Sequence, residues 1–304
     1  MTACTVLDSA ISGVLVKIRD ILFKKKPALS FEVFPPVRDG NIEELFSTIK
    51  ELEELNPDFI SVTYGAGGNT QSRSTQIASG IKNSLNKEVL AHLTCVQSSK
   101  DDISRILDRF KEINIENILA LRGDPPKGET KFIRTKGGFG YAGELVEFIK
   151  LNGDFSIGVA GYPEGHIESP SLDVDLINLR IKVDAGADFI ITQMFFHNED
   201  FYRFRDMTIK KGIVAPIIPG IFPILNYKQI QRIASLCGVR IPLKLDRKIH
   251  SLREEPEEME KYGIEYAITQ ANDLIKNDVQ GLHIYSMNKS RPAKQIVAEL
   301  PYHR

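Results

Sequence analysis

The chain has 304 residues, 42% of them hydrophobic and 26% charged, with a formal net charge of −1. This is ordinary globular composition, long enough for one large α/β barrel, and the near-zero charge gives no electrostatic footprint for nucleic acid or an anionic membrane. Three unclustered cysteines, Cys4, Cys95 and Cys237, speak against a disulfide framework or a zinc knuckle and suit a reducing cytoplasm.

Ile11–Phe23 comes first, an apolar run interrupted by Lys17, Arg19 and Asp20. The charges exclude a signal peptide or membrane span, and the pattern predicts an amphipathic helix closing a barrel floor, with a membrane-surface anchor as the alternative. Six short apolar runs follow: Ser30–Pro36 (SFEVFPP), Ile60–Gly65 (ISVTYG), Val89–Cys95 (VLAHLTC), Ile118–Pro126 (ILALRGDPP), Ile157–Pro163 (IGVAGYP) and Ile190–Phe196 (IITQMFF). Ile217–Pro223 (IIPGIFP) and Gly281–Met287 (GLHIYSM) make a seventh and an eighth. Each is too apolar for a surface strand, as when both faces of a parallel sheet are covered. Helical patterns alternate with them over Ile42–Leu55, Thr70–Leu85, Asp101–Ile113, Gly143–Lys150, Leu172–Ala185, Glu199–Lys210 and Tyr227–Leu236, with a last one starting near Pro292. Between strands seven and eight an extra helix, Glu257–Lys276, follows the charged stretch Lys244–Glu258, read as solvated surface. With no repeat, low-complexity tract or linker, the pattern predicts one domain over residues 1–304. Its fold class is α/β, a (β/α)8 TIM barrel with an N-terminal helix and an extra helix between strands 7 and 8.

Alternate strand residues face opposite sides. Turning Phe31, Val33, Ile60, Val62, Ala91, Leu93, Leu119, Leu121, Val159 and Thr192 outward points Ser30, Glu32, Ser61, Thr63, His92, Thr94, Arg122, Asp124, Tyr162 and Gln193 inward. Burying so many polar groups near one mouth is costly without a ligand, and barrel sites are built at the carboxyl ends of the strands.

The six histidines show no HxH or HExxH spacing, strand six carries Gln193 rather than a Schiff-base lysine, and Gly65-Ala66-Gly67 fails the GxGxxG pattern. What the mouth offers is a pair of carboxylates. Glu32 sits among Phe31, Phe34 and two prolines, surroundings expected to favour its protonated form, while Asp124 adjoins Arg122, expected to hold it ionised. Divided roles for the two carboxylates follow, with Glu32 suited to a general acid, against the plainer alternative of a structural Arg–Asp pair and a loop-bound glutamate.

SFEVFPP at 30–36, SVTYGAGG at 61–68, HLTC at 92–95, LALRGDPP at 119–126, YPEGH at 162–166, KVDAGAD at 182–188, ITQMFF at 191–196 and IIPGIFP at 217–223 resemble the methylenetetrahydrofolate reductase family, in the family's order. The resemblance implies the compact form, a catalytic barrel alone. It also implies an FAD-containing barrel that passes hydride from NADH or NADPH to methylenetetrahydrofolate in a ping-pong cycle, in the cytoplasm, in the one-carbon metabolism that feeds methionine biosynthesis. Glu32 matches the general acid and Asp124 the carboxylate near the flavin. FAD contacts carry over to Thr63, His92, Arg122, Gly123, Asp124, Tyr141, Ala142, Tyr162, His166, Asp175, Asn178 and Lys182, and folate contacts to Gln193, Gln229 and Lys289. Ile181, Ile233 and Lys289 stand where the family usually has arginine, phenylalanine and arginine. The resemblance also implies a homo-oligomer, with a reduced partner protein as a further conceivable electron donor. Two alternatives are a proline dehydrogenase-like FAD barrel and a catalytically silent subunit of a redox complex.

Overall fold

A computed structural model describes residues 16–36, 40–64, 68–125, 128, 129 and 131–301. Residues 11–15 of the expected first helix, and Gly65, Ala66, Gly67 and Pro126 of the family motifs, lie outside the described residues. Eight parallel strands close in chain order: β1 (Ala28–Val33), β2 (Phe59–Val62), β3 (Val89–Thr94), β4 (Asn117–Leu121), β5 (Ser156–Gly161), β6 (Phe189–Met194), β7 (Ile217–Ile221) and β8 (Gly281–Tyr285), with β8 pairing back to β1. The runs read from sequence hold the strands and overshoot their carboxyl ends, because the polar residues there belong to the loops of the mouth.

Helix α1 (Ile18–Lys24) precedes β1. Its Ile18 and Leu22 pack into the lower barrel with Phe59, Leu90, Leu119, Phe189, Ile191 and Ile218, all at most 5% exposed. The Ile18 and Arg19 backbone N–H groups donate to Asn117 Oδ1 at 2.8 Å and Ser156 Oγ at 3.1 Å. Those bonds answer amides that the first turn of a helix otherwise leaves without partners. The floor is therefore closed by a short helix, as the amphipathic pattern implied.

Each later strand is followed by its helix: α2 (Ile42–Glu53), α3 (Gly68–Ser84), α4 (Lys100–Glu112), α5 (Ala142–Asn152), α6 (Leu172–Asp184), α7 (Asn198–Lys210), α8 (Tyr227–Cys237) and, after β8, α11 (Ser290–Ala298). The outward residues of the strands form one continuous core with the inner faces of these helices. Between α8 and β8 there are two helices rather than one, α9 (Leu243–Ser251) and α10 (Pro256–Lys276). The charged stretch read as plain surface is thus partly helical. Leu245 and Ile249, four residues apart, bury one face of α9 against Ile224, Ile230 and Met259, and two apolar positions among charges are a faint periodic signal.

The inward and outward assignment holds on β1, β2, β3, β5 and β6 and is inverted on β4. His92 pairs in register with Leu119 and Thr94 with Leu121, so the two leucines face the barrel interior. Ile118 and Ala120 instead pack outward in the helix layer. The error came from extending strand alternation through Arg122 and Asp124, which lie beyond the last strand residue. Gly123, at φ 85°, turns the chain there, and a Cβ at this position would stand 2.9 Å from Val96.

Candidate active site

Glu32 is the inward residue near the end of β1, and its side chain is 18% exposed. One of its carboxylate oxygens lies 3.5 Å from His92 Nε2 on β3 and 3.5 Å from His283 Nε2 on β8. The rings are themselves held, His92 Nε2 2.7 Å from Ser61 Oγ and His283 Nδ1 2.8 Å from Ser30 Oγ. Burial pushes His92 down to about 4, the nearby Glu32 charge opposing this only in part, so the ring is neutral at pH 7. The apolar surroundings expected from chain neighbours are not what Glu32 meets. Phe31 points to the helices, and two imidazoles flank the carboxylate instead. Thr94 Oγ1 is buried without a hydrogen-bond partner, and so is His283 Nε2 apart from its ion-pair contact with Glu32.

Glu32 opens on a cavity of about 360 Å³ that also takes in Thr63, His92, Arg122, Gly123, Asp124, Tyr162, His166 and Gln193. Leu119, Leu121, Ile191, Phe222, Ile233 and Tyr285 supply its apolar walls. Gln193 Oε1 accepts from the Met194 N–H at 2.9 Å. Tyr285 crosses the interior to donate to Thr192 O at 2.8 Å, which requires Gly220 beneath it, where a Cβ would stand 2.4 Å from that same oxygen.

A second cavity, of about 560 Å³, shares Leu121, Arg122, Ala160, Tyr162 and His166 with the first and runs outward between α5 and α6. It collects Tyr141, Ala142, Asp175, Asn178, Ile181 and Lys182. No side chain caps the start of α5 at Tyr141, and Ala142, Gly143 and Glu144 line the cavity there. A helix start favours an anion, and here the Glu144 carboxylate already accepts from the Gly140 N–H at 2.8 Å. Lys182 Nζ donates to Ala160 O at 2.6 Å, and burial pushes the amine down to about 8 against the opposing pull of Asp175. Burial raises Asp175 in turn, with Lys182 and His166 working against the rise.

Arg122 does not pair with Asp124 as its neighbour in sequence suggested. Its guanidinium grips Glu168 through two bonds of 2.6 and 2.8 Å and lies 5.0 Å from the centre of the Phe132 ring, while Asp124 is exposed at the rim. Gln229, on the first turn of α8, and Lys289, exposed at the start of α11, line neither cavity. His283, Tyr285 and Glu168 went unread. The alternation used on the other strands, applied to GLHIYSM, points His283 and Tyr285 inward, whereas Glu168 sits in a loop that carries no periodic signal.

Comparison with known proteins bears on this geometry. The methylenetetrahydrofolate reductase family profile matches residues 17–301. A relative from Arabidopsis thaliana, "Methylenetetrahydrofolate reductase (NADH) 1", is 38% identical over 298 residues, covering 94% of this chain and 50% of that protein. The Escherichia coli (strain K12) "5,10-methylenetetrahydrofolate reductase" is 38% identical over 262 residues, covering 86% of each. The chain thus spans about half the length of the plant relatives it matches. Among solved structures, an uncharacterized protein from Clostridium thermocellum, described as binding two copies of 5-methyl-5,6,7,8-tetrahydrofolic acid, superposes with a TM-score of 0.63 at 15% identity, covering 92% of this chain and 96% of that one, a likeness of fold. With its profile match running from α1 to the end of the described chain, and with relatives this similar, the protein belongs to the methylenetetrahydrofolate reductase family.

Proposed function

We propose that this chain reduces 5,10-methylenetetrahydrofolate to 5-methyltetrahydrofolate, using FAD and a reduced nicotinamide. The observation that carries the reading is the seat of Glu32, a carboxyl between two imidazoles at the head of a cavity continuous with a long cleft. The cleft suits FAD on its own chemistry. Lys182, Arg122 and the uncapped start of α5 would hold the diphosphate. The Leu119, Leu121 and Ile191 wall would lie against a flat ring. Bound there, FAD supplies hydride transfer in two half-reactions.

The protein's own part is proton delivery and charge. Glu32, beside the neutral imidazole of His92, delivers a proton to the folate N10 and opens the methylene bridge to an iminium. Asp124, at the rim, places a negative charge near that cation. Gln193 orients whichever substrate occupies the cavity. The plant relatives are named for NADH, and we take NADH as the donor. Reading the enzyme as cytoplasmic agrees with the free thiols of Cys95 and Cys237. A homo-oligomer agrees with the family resemblance.

Glu32→Gln tests the mechanism. Flavin reduction by NADH should stay near wild type, while reoxidation by methylenetetrahydrofolate slows by about 10²–10⁴-fold, the range for losing a general acid. Equal slowing of both half-reactions would make Glu32 structural.

A further inference from the structure

The β1–β8 ladder ends where Glu32 pairs with Tyr285, yet the two chains stay joined beyond it. Asn288 Oδ1 accepts from the Phe34 N–H at 3.0 Å, and its Nδ2 donates to Phe34 O at 2.8 Å. The side-chain amide thus imitates one more rung of sheet, two residues past the candidate acid. Ser286 closes the gap from the other side. Its Oγ donates to Glu32 O at 2.6 Å and accepts from the Asn288 N–H at 3.2 Å. One turn of the β8 loop therefore fixes the backbone on the carboxyl side of Glu32, at its own carbonyl and at Phe34.

That turn is held in an unfavourable conformation. Met287 and Asn288 have φ values of 54° and 55°, two left-handed residues in succession. Asparagine tolerates this region, but methionine does not, and such strain persists only where the surroundings impose it. The turn seats Met287 against the apolar cluster that contains Phe222 and Ile233, both walls of the catalytic cavity.

We propose that Asn288 is a positioning residue. Its amide pairs with the Phe34 backbone and so keeps the Glu32 carboxyl between His92 and His283, aimed at the cavity. The proposal rests on the reading of Glu32 as proton donor. Misplacing a reacting group by about 1 Å costs up to about 10²-fold in rate, so loss of the clamp should register as slower proton delivery.

Asn288→Gly is the informative change, because glycine accepts the left-handed backbone and only the two side-chain bonds are lost. In the FAD-loaded protein, single-turnover reoxidation by methylenetetrahydrofolate should slow by about 10- to 100-fold. Flavin reduction by NADH should stay within about twofold, with an unchanged far-ultraviolet spectrum. The decisive comparison is Asn288→Gly in the Glu32→Gln background. A residue acting through Glu32 has nothing left to act on, so the double variant should reoxidise as slowly as Glu32→Gln alone. Equal slowing in both backgrounds, or no slowing in either, overturns the proposal and leaves the Glu32 reading intact. Reoxidation of Glu32→Gln at the wild-type rate overturns the reading itself, and the proposal with it.

Discussion

Lys182 offers a test of the dinucleotide cleft that needs no turnover. Its amine is pushed down to about 8 by burial, with Asp175 as the opposing anion and the His166 and Arg122 side chains in the same cavity. A diphosphate placed against it would restore the charged form and raise its pKa towards the ordinary value of 10.5. The sign follows by linkage. Below pH 8 lysine is charged with or without FAD, and affinity is flat. Between about 8 and 10 the free protein has lost the proton and must take one up on binding, so affinity falls close to tenfold per pH unit, by roughly 10²-fold in all. Titration of the apoprotein with FAD at pH 7, 8, 9 and 10, followed by flavin fluorescence, measures the fall. Calorimetry in buffers of different ionisation enthalpy measures the proton uptake. Lys182→Met should bind FAD weakly at every pH and flatten the profile. A wild-type affinity independent of pH, or proton release on binding, would refute placing the diphosphate at Lys182.

Three further outcomes follow from the same geometry. Asp124→Asn removes a charge at the rim, so it should raise the flavin reduction potential in a spectroelectrochemical titration and slow the folate half-reaction more than the nicotinamide one; an unchanged or lowered potential would count against that role. Gln193→Ala should weaken both substrates by about 1–3 kcal/mol each while FAD stays bound. Gln193→Glu should harm folate more than nicotinamide, since an ionised carboxylate cannot donate to the pterin, and half-reaction kinetics on both variants would show it. Gly220→Ala forces a methyl to 2.4 Å from Thr192 O and 2.7 Å from the Tyr285 ring, so thermal unfolding should reveal a loss of about 1–3 kcal/mol, and an unaltered melting temperature would contradict the packing described.

The barrel was legible because strands covered on both faces write themselves as unbroken apolar runs, and alternation then sorted Glu32, His92 and Tyr162 to one side. Where the reading failed, local sequence stood in for contacts set by the whole sheet. Leu119 and Leu121 face inward because pairing with β3 puts them level with His92 and Thr94, a relation with no trace in ILALRGDPP itself. Arg122 found Glu168, forty-six residues away, rather than the aspartate two places along. Phe31 adjoins Glu32 in the chain yet lies across the sheet from its carboxyl. His283 obeys the same alternation, but its place beside Glu32 comes from β8 closing the ring against β1, a pairing of residues 253 apart that no local pattern records.

The helix that stoppers the barrel has a consequence for traffic. With Ile18 and Leu22 sealed among Phe59, Phe189 and Ile218, the floor is shut among the described residues, and Glu32 faces the cavity that Asp124 and Phe222 help to line. On the proposed function, nicotinamide and folate would share that cavity and would have to take turns in it. Excess of either should then slow the cycle by queueing in the other's place, which substrate-inhibition kinetics with each reactant varied would show.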